Sequence, residues 1–182
     1  KTSHYTITKR EAVASVSPNV SPQSILGSMQ GYFSIYADGI GYGESKTQAS
    51  YVNKQASAIA GVDLLRASKE FACENDIQLN EQIFTTGYSA GGYGTMAFHQ
   101  VIDEEYSDEF TITANAPLAG PYALDQMAKR IFGDNIYSQP YYLGFALWGY
   151  VLATGDNEAL NRWVNPNYRN PILTMYNGEY SG

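Results

Sequence analysis

Apolar and polar positions alternate along the chain in a way that predicts three strands separated by two helices. Strand-like runs occupy residues 32–37, 82–85 and 110–116. The segments between them, 51–75 and 93–106, carry apolar residues at three- and four-residue steps, as amphipathic helices do. Strand, helix, strand, helix and strand at this spacing favour parallel strands joined by right-handed crossovers. The pattern therefore predicts a doubly wound α/β fold.

The two ends of the chain depart from this pattern. Residues 1–25 are polar and punctuated by Ser and Pro, which predicts a loop, and a short helix ending at Gly31 follows. After Tyr122 there is no further clear strand–helix unit, and residues 123–178 show helical patches. We therefore divide the chain into an α/β core over 1–122 and a helical cap over 123–178.

The helical cap is rich in aromatic side chains. Six of them lie within residues 137–150. One interpretation is that they form the core of a small helical subdomain. The other, which is compatible with the first, is that they line an apolar substrate pocket. The candidate pocket residues are Tyr141, Tyr142 and Trp148 of this stretch, together with Tyr88.

Local signals give further expectations for the first long helix. Ser50 is its predicted N-cap, and Arg66 and Glu70 form a predicted ion pair on its wetter side. Cys73, in the last turns, is expected to be a small buried apolar residue. The acidic run over 103–109, which closes the second helix, is expected to be a solvated surface cluster.

The candidate chemistry lies between the second strand and the second helix. There the chain reads Gly87-Tyr88-Ser89-Ala90-Gly91, a Gly-x-Ser-x-Gly pattern. Between a strand and a helix this pattern is typical of a nucleophile elbow, a sharp turn that holds the serine Oγ clear of the sheet. We expect Gly87 and Gly91 to be required because side chains there would collide with the neighbouring strand and helix. The alternative is an ordinary glycine-rich turn.

Composition limits the classes of partner and cofactor. The 182 residues are 44% hydrophobic and 16% charged, as in an ordinary globular protein. The net charge of −7 argues against nucleic acid or an anionic membrane as a standing partner. The single cysteine excludes an intrachain disulfide and a Cys-based metal site. No run approaches the roughly 18 apolar residues of a membrane span, and we predict no metal and no cofactor.

Four segments together resemble the α/β-hydrolase superfamily, most closely its secretory lipase and esterase branch. The loop 38–45 is similar to the family's Asp-x-x-Gly-x-Gly-x-Ser segment, and 63–67 resembles the helix that follows it. Residues 87–92 match the elbow, and 3–6 align more weakly with the family's His-Gly-Thr oxyanion turn. The resemblance covers about residues 4–150. It implies a mainly parallel, incomplete sheet of the α/β-hydrolase type with a helical, aromatic-rich cap.

The resemblance also implies roles for individual residues. Ser89 would be the nucleophile of an acyl-enzyme mechanism. The backbone N–H of Ala90 would be the first oxyanion donor, and an N–H near Tyr5 the second. The family further implies a secreted or periplasmic enzyme. The aromatic, weakly charged cap favours an apolar or aromatic carboxylic ester as the small-molecule substrate.

The proton acceptor that Ser89 requires is not identified in the sequence. The superfamily order is Ser, then acid, then His. His4 precedes the elbow, and His99 follows it on the same helix, ~12–15 Å from Ser89. We expect neither histidine to be the base. Asp125 and Asp134 follow the third strand, but either would need a histidine that the chain does not show.

We therefore expect a partial chain of a longer esterase or lipase, with the acid and the base outside these residues. Asp38 is expected to organise its loop and not to act in catalysis. Two alternatives stay open. The chain could be a non-catalytic α/β-hydrolase-fold protein used for binding or assembly, or a second polypeptide could complete the enzyme.

Overall fold

A computed structural model describes residues 5–8, 22–37, 39–41, 49–133 and 136–176. It contains four strands and seven helices within these ranges. In chain order they are β1 (Tyr5–Thr8), α1 (Pro22–Met29), β2 (Ser34–Ala37), α2 (Lys54–Glu74), β3 (Ile83–Tyr88), α3 (Ala90–Glu105), β4 (Ile112–Leu118), α4 (Leu124–Gly133), α5 (Tyr141–Thr154), α6 (Ala159–Trp163) and α7 (Pro166–Tyr176).

The central unit is β3, α3 and β4. The two strands are parallel, with Phe84 opposite Ala114 and Tyr88 opposite Leu118, and α3 is the crossover between them. This confirms the predicted strand–helix–strand unit and the α/β class. Residues at alternate positions of both strands face α3. Because α3 begins directly after β3 and the strands are parallel, the carboxyl ends of β3 and β4 both lie at the start of that helix.

The prediction that the strand at 32–37 joins this parallel sheet was wrong. Its ordered part, β2, pairs antiparallel with β1, Tyr5 lying opposite Ala37. Within the described ranges β1–β2 and β3–β4 are separate two-stranded sheets. The sequence Tyr-Thr-Ile-Thr of β1, read as loop, has the β-branched and aromatic residues that favour strands and supplies the partner for β2.

The hydrophobic core lies between α2, α3 and β4. Val62, Val101 and Ile102 are almost completely buried, and Phe98 and Ile112 join the same cluster. A Cβ at position 61, which is glycine, would lie 2.8 Å from the Phe98 ring. α2 and α3 therefore pack closely, and their contact fixes where α3 begins.

Two expectations for α2 are corrected. Its N-cap is Asn53 and not Ser50: the Asn53 side chain accepts a hydrogen bond from the Ala56 N–H at 3.1 Å. Val52 has φ 49°, which is incompatible with starting the helix earlier. Cys73 is exposed and not buried, because Ala72 takes the inward position in the last turn.

Ion pairs between α2 and the end of α3 differ from the expected ones. Arg66 pairs with Glu109, its Nε and Nη2 donating at 2.9 and 2.6 Å, and not with Glu70. Lys54 binds Glu104. The acidic run is thus bound by basic residues of α2 and is not simply solvated. The Arg66 guanidinium lowers the pKa of Glu109 below its ordinary value.

The region after Tyr122 is helical, as predicted, and consists of α4 to α7. The Tyr150 and Trp163 rings pack with centroids 5.0 Å apart, joining α5 to α6. None of the helices in the described ranges is both long and apolar enough to span a membrane. The division into a core over 1–122 and a cap over 123–178 stays a prediction.

One face of the β3–β4 sheet carries exposed apolar side chains. Phe84, Tyr88 and Leu118 are 48%, 65% and 50% exposed. They point away from α3, and the edge of the Tyr32 ring contacts Phe84 with centroids 5.6 Å apart. This two-stranded sheet is therefore covered by α3 on one face and largely exposed on the face that carries these three side chains.

Candidate active site

The predicted elbow is a sharp turn that connects β3 directly to α3. Ser89 is the single residue between them and has φ 56° and ψ −119°. A positive φ is unfavourable for a residue with a Cβ, and such strained backbones cluster at functional sites. Ser89 is half-buried and its side chain makes no capping hydrogen bond to the helix. The turn therefore presents a hydroxyl that the local structure does not use.

Backbone hydrogen bonds hold this strained turn in place. The Ser89 N–H donates to the Leu118 carbonyl at 2.8 Å, just past the end of the β3–β4 pairing. The Ser89 carbonyl accepts from the Tyr93 N–H at 3.1 Å, which starts α3. The turn is thus fixed on one side by β4 and on the other by the helix.

The glycines around Ser89 allow close backbone contacts, but not all of the expected ones do. A Cβ at Gly87 would lie 2.2 Å from the Gly91 carbonyl oxygen, so Gly87 is required. A Cβ at Gly91 would meet no described atom within 4 Å, so the predicted steric need at Gly91 was wrong. The requirement falls on Gly92, where a Cβ would lie 2.5 Å from the Leu118 oxygen. In the sequence, the signal for this contact was Gly92 itself, the glycine that directly follows the Gly-x-Ser-x-Gly pattern.

The predicted first oxyanion donor is well placed by the fold. Ala90 is the first residue of α3, and its N–H has no acceptor in the described part of the chain. The first N–H groups of a helix lack partners within the helix and carry the positive end of its dipole. The Ala90 N–H is therefore free to bind a negatively charged oxygen next to Ser89.

The predicted second donor lies at the start of the other sheet. Tyr5 begins β1, and its pairing partner is Ala37 at the end of β2. Its role as a donor stays a prediction.

The triad base is not assembled within the described ranges. His99 Nε2 lies 3.5 Å from Asp103 Oδ2, and His99 Nδ1 lies 3.4 Å from Asn115 Nδ2. The side-chain oxygen Oδ1 of Asn115 in turn accepts a hydrogen bond from the Thr85 hydroxyl at 2.9 Å. His99 is therefore engaged between α3 and the sheet. The Ser89 hydroxyl has no hydrogen-bond partner among the residues described.

Of the other candidate acids and bases, the structure describes only Asp125. Asp125 lies in the first turn of α4 and forms an exposed ion pair with Lys129 at 3.7 Å. His4, Asp38 and Asp134 lie outside the described residues.

Two further residues with a strained backbone flank the start of α3, and no sequence pattern predicted them. Ala119, directly after β4, has φ 49°, and Val52, before α2, also has φ 49°. The Tyr93 hydroxyl donates to the Val52 carbonyl at 2.9 Å. Burial raises the pKa of Tyr93, while the Lys54 charge opposes that rise. Of the four non-glycine residues with positive φ in the described ranges, three lie around the start of α3, and the fourth, Asp76, follows the end of α2.

Of the candidate pocket residues, Tyr141 and Tyr142 lie close together at the start of α5. The Tyr141 and Tyr142 rings have centroids 4.3 Å apart, and Tyr142 stacks on Tyr51. The indole N–H of Trp148 is buried and finds no acceptor among the described residues. Tyr88 lies on the exposed sheet face beside Ser89, and no described ring contact joins it to the others.

The chain was compared with protein families, curated sequences and solved structures, and only solved structures match it. No family model matches the chain, and no curated protein matches its sequence significantly. A Legionella pneumophila protein assigned as a hydrolase superimposes with a TM-score of 0.74 at 22% identity, over 84% of this chain and 41% of its own. The rice cell wall degrading esterase LipA of Xanthomonas oryzae gives 0.72 at 24% identity, over 85% and 42%. A G231F variant of LipA gives 0.72 at 25% identity, again over 85% and 42%.

The chain has a hydrolase fold. It spans about two fifths of the length of these solved structures, 41% of one and 42% of the other. The likeness supports the expected superfamily but does not select the lipase and esterase branch within it.

Proposed function

We propose that the chain is the nucleophile-bearing part of a serine hydrolase of the esterase or lipase type. The observation that carries the proposal is the backbone of Ser89, strained at φ 56° between β3 and α3. It lies next to the Ala90 N–H, which has no acceptor within the described ranges. A strand–Ser–helix turn of this kind raises the serine Oγ above the sheet edge. The reaction class is supported by two of the structural neighbours, one of which is named as a hydrolase and the other as an esterase.

The chemistry is acyl transfer. Ser89 Oγ attacks the ester carbonyl carbon, and its proton passes to a base. The carbonyl oxygen becomes an oxyanion, and the Ala90 N–H donates a hydrogen bond to it. The bond to the alcohol oxygen then breaks, the alcohol leaves with the proton, and an acyl-Ser89 ester remains. Water attacks that ester, releasing the acid and restoring the hydroxyl.

The base is proposed to come from residues outside those described, in the same chain or in a second one. His99 is an unsuitable base because its ring nitrogens face Asp103 and Asn115. Ten residues of helix separate it from Ser89, which corresponds to about 15 Å. The proposal therefore assigns the nucleophile and one oxyanion donor to this chain, and leaves the acid and the base to other residues.

The proposed substrate is an apolar or aromatic carboxylic ester. The cluster of Tyr141 and Tyr142 offers flat apolar surface, and the buried Trp148 N–H offers a donor to a polar group of the ligand. The net charge of −7 disfavours polyanions. A secreted or periplasmic location remains a proposal, supported by one neighbour being a cell wall degrading esterase.

A second candidate is a binding or assembly role without catalysis. It is favoured by the exposed apolar face of Phe84, Tyr88 and Leu118, which another polypeptide could cover. The same face would serve a second chain that completes the enzyme. Reactivity at Ser89 separates the catalytic proposals from the non-catalytic one.

Labelling with a serine-reactive fluorophosphonate tests the proposal. In the full-length protein, labelling is expected at Ser89 and is expected to disappear in Ser89→Ala. The matched control is Ser107→Ala, since Ser107 lies in an exposed turn beyond α3. Absence of specific labelling at Ser89 would favour the binding role.

The same reagent tests the assignment of the base. Labelling of the 182-residue chain alone is expected to be weak, and His99→Ala is expected to leave it unchanged. Strong labelling of this chain that His99→Ala abolishes would show that His99 is the base and would overturn that part of the proposal.

A further inference from the structure

The turn formed by Tyr51 and Val52, which precedes α2, contacts both the elbow helix and the aromatic helix. Its Val52 carbonyl accepts the Tyr93 hydroxyl of α3 at 2.9 Å. Its Tyr51 ring stacks on Tyr142 of α5, with centroids 6.1 Å apart and an interplanar angle of 22°. One short turn therefore joins the helix that begins at the nucleophile to the helix that carries the candidate pocket residues.

The contact with α5 is close enough to determine how that helix sits. The Tyr51 ring also packs on Phe145 at 5.8 Å, one turn further along α5. A Cβ at Gly149 would lie 2.2 Å from the Tyr51 carbonyl oxygen. The α5 backbone can approach the turn only because residue 149 has no side chain, so the position of α5 depends on the position of Tyr51.

The contact with α3 lies one helical turn from the nucleophile. Tyr93 donates its backbone N–H to the Ser89 carbonyl and its hydroxyl to the Val52 carbonyl. Val52 is β-branched and has φ 49°, a conformation that such a residue adopts only when its surroundings impose it. Within the described residues, the Tyr93 hydroxyl is the side-chain group that binds the Val52 carbonyl and holds it in this conformation.

We propose that Tyr93 is a positioning residue that sets acyl-group selectivity, acting through the Tyr51–Val52 turn on α5. The inference rests on the proposed function, because it places the acyl group of the ester against the aromatic side chains of α5. Loss of the Tyr93 hydroxyl releases the Val52 carbonyl, the turn relaxes, and Tyr51 no longer fixes Tyr142. The small reacting centre at Ser89 is unaffected, whereas bulky acyl groups lose their fit.

The test compares Tyr93→Phe with Tyr106→Phe in the full-length protein. Tyr106 caps the far end of α3 and carries the Arg66 guanidinium on its ring, so it is a matched control on the same helix. Tyr93→Phe is expected to lower kcat/KM for an aromatic acyl nitrophenyl ester about two- to tenfold, the effect of one hydrogen bond. The kcat/KM for nitrophenyl acetate and the Ser89 labelling rate are expected to stay within about twofold.

A measurement that needs no activity tests the coupling itself. Amide hydrogen exchange in α5 is expected to rise by a similar factor in Tyr93→Phe, while exchange in the last turns of α2, around Ala72, stays unchanged. Gly149→Ala is expected to reproduce both effects from the other side of the contact. Its control is Gly133→Ala at the end of α4, where a Cβ would meet no described atom within 4 Å.

The outcomes separate this inference from the proposed function. Unchanged exchange in α5 in both Tyr93→Phe and Gly149→Ala would overturn the coupling. Faster exchange with an unchanged ratio of the two esters would overturn the role in selectivity. A wild-type protein that neither hydrolyses esters nor labels at Ser89 would refute the proposed function and the selectivity with it, and the exchange data would then decide the coupling alone.

Discussion

The backbone N–H of Ser89 donates to the carbonyl oxygen of Leu118 at 2.8 Å. Tyr88, the preceding residue, lies opposite Leu118 in the β3–β4 register, so this bond continues the parallel pairing into the turn. The same oxygen would lie 2.5 Å from a Cβ at Gly92. The end of β4 therefore fixes both Ser89 and the first turn of α3, and the strained backbone of Ser89 depends on it.

The first prediction concerns the two adjacent glycines at the start of α3. Gly92→Ala is expected to destabilise the protein by about 1–3 kcal/mol, because the new methyl group collides with backbone at Leu118. Gly91→Ala is expected to stabilise it by up to about 1 kcal/mol, because alanine is the better helix former and its Cβ has open space. Urea denaturation measures both. Equal destabilisation by the two substitutions would contradict the structure.

The second prediction concerns the backbone strain at residue 89. Ser89→Gly is expected to be more stable than Ser89→Ala by about 1–3 kcal/mol, because glycine adopts φ 56° without a Cβ penalty. For a chain of this size that corresponds to a difference in Tm of roughly 2–4 °C per kcal/mol. Both variants remove the Ser89 hydroxyl, so each controls for the other. Identical Tm values would show that the turn carries no strain.

The local parts of the site could be predicted from the sequence, and the long-range parts could not. The strand, Ser89 and helix follow one another within a few residues, so turn chemistry and hydrophobic period were sufficient to place the elbow. The partners of β2 and Arg66 were assigned incorrectly. Arg66 binds Glu109, 43 residues away, and β2 pairs with β1 across a gap of about 30 residues, which no local pattern specifies.

Close contacts within the site were equally hidden from the sequence. Nothing in Ser50-Tyr51-Val52-Asn53 indicates that Val52 takes a positive φ, yet this moves the N-cap of α2 to Asn53. Gly91 satisfied the motif, yet the collisions that require glycine occur at Gly87 and Gly92. The motif therefore located the turn at Ser89, and only tertiary packing showed which neighbouring residues fix it.

The third prediction concerns acid stability. The Arg66 guanidinium lowers the pKa of Glu109 from its ordinary 4.5, so the native state favours the ionised carboxylate. This contribution is fully present above pH 4.5 and is lost as the pH falls through the lowered pKa of the folded protein. Glu109→Gln is therefore expected to lower Tm slightly at pH 7 and to match wild type in stronger acid. Thermal melts at several pH values measure this difference.

The control for the acid-stability prediction is Glu70→Gln. Glu70 is the residue four positions from Arg66 on α2, but Arg66 is bound to Glu109. Glu70→Gln is therefore expected to leave the Tm difference between pH 7 and acid unchanged. Added salt is expected to reduce the effect of Glu109→Gln, since both charges are exposed to solvent. A salt-independent effect would argue against the ion pair as its cause.

The fourth prediction concerns the apolar sheet face opposite α3. In the 182-residue chain alone, Phe84 and Leu118 are about half exposed, at 48% and 50%, beside Tyr88. Apolar patches of this kind drive association. The double variant Phe84→Thr, Leu118→Thr is expected to self-associate several-fold less than wild type in sedimentation velocity, because it removes exposed apolar surface. Threonine is β-branched and therefore compatible with a strand.

The control for this face is Tyr168→Thr, which removes another largely exposed ring, 64% exposed, from α7. It is expected to leave self-association unchanged. If a longer native protein or a second chain covers the sheet face, the double variant is expected to destabilise that complete protein, since the two side chains are then buried. A double variant that is fully stable in the complete protein, with a wild-type chain that stays monomeric alone, would show that nothing docks on β3 and β4.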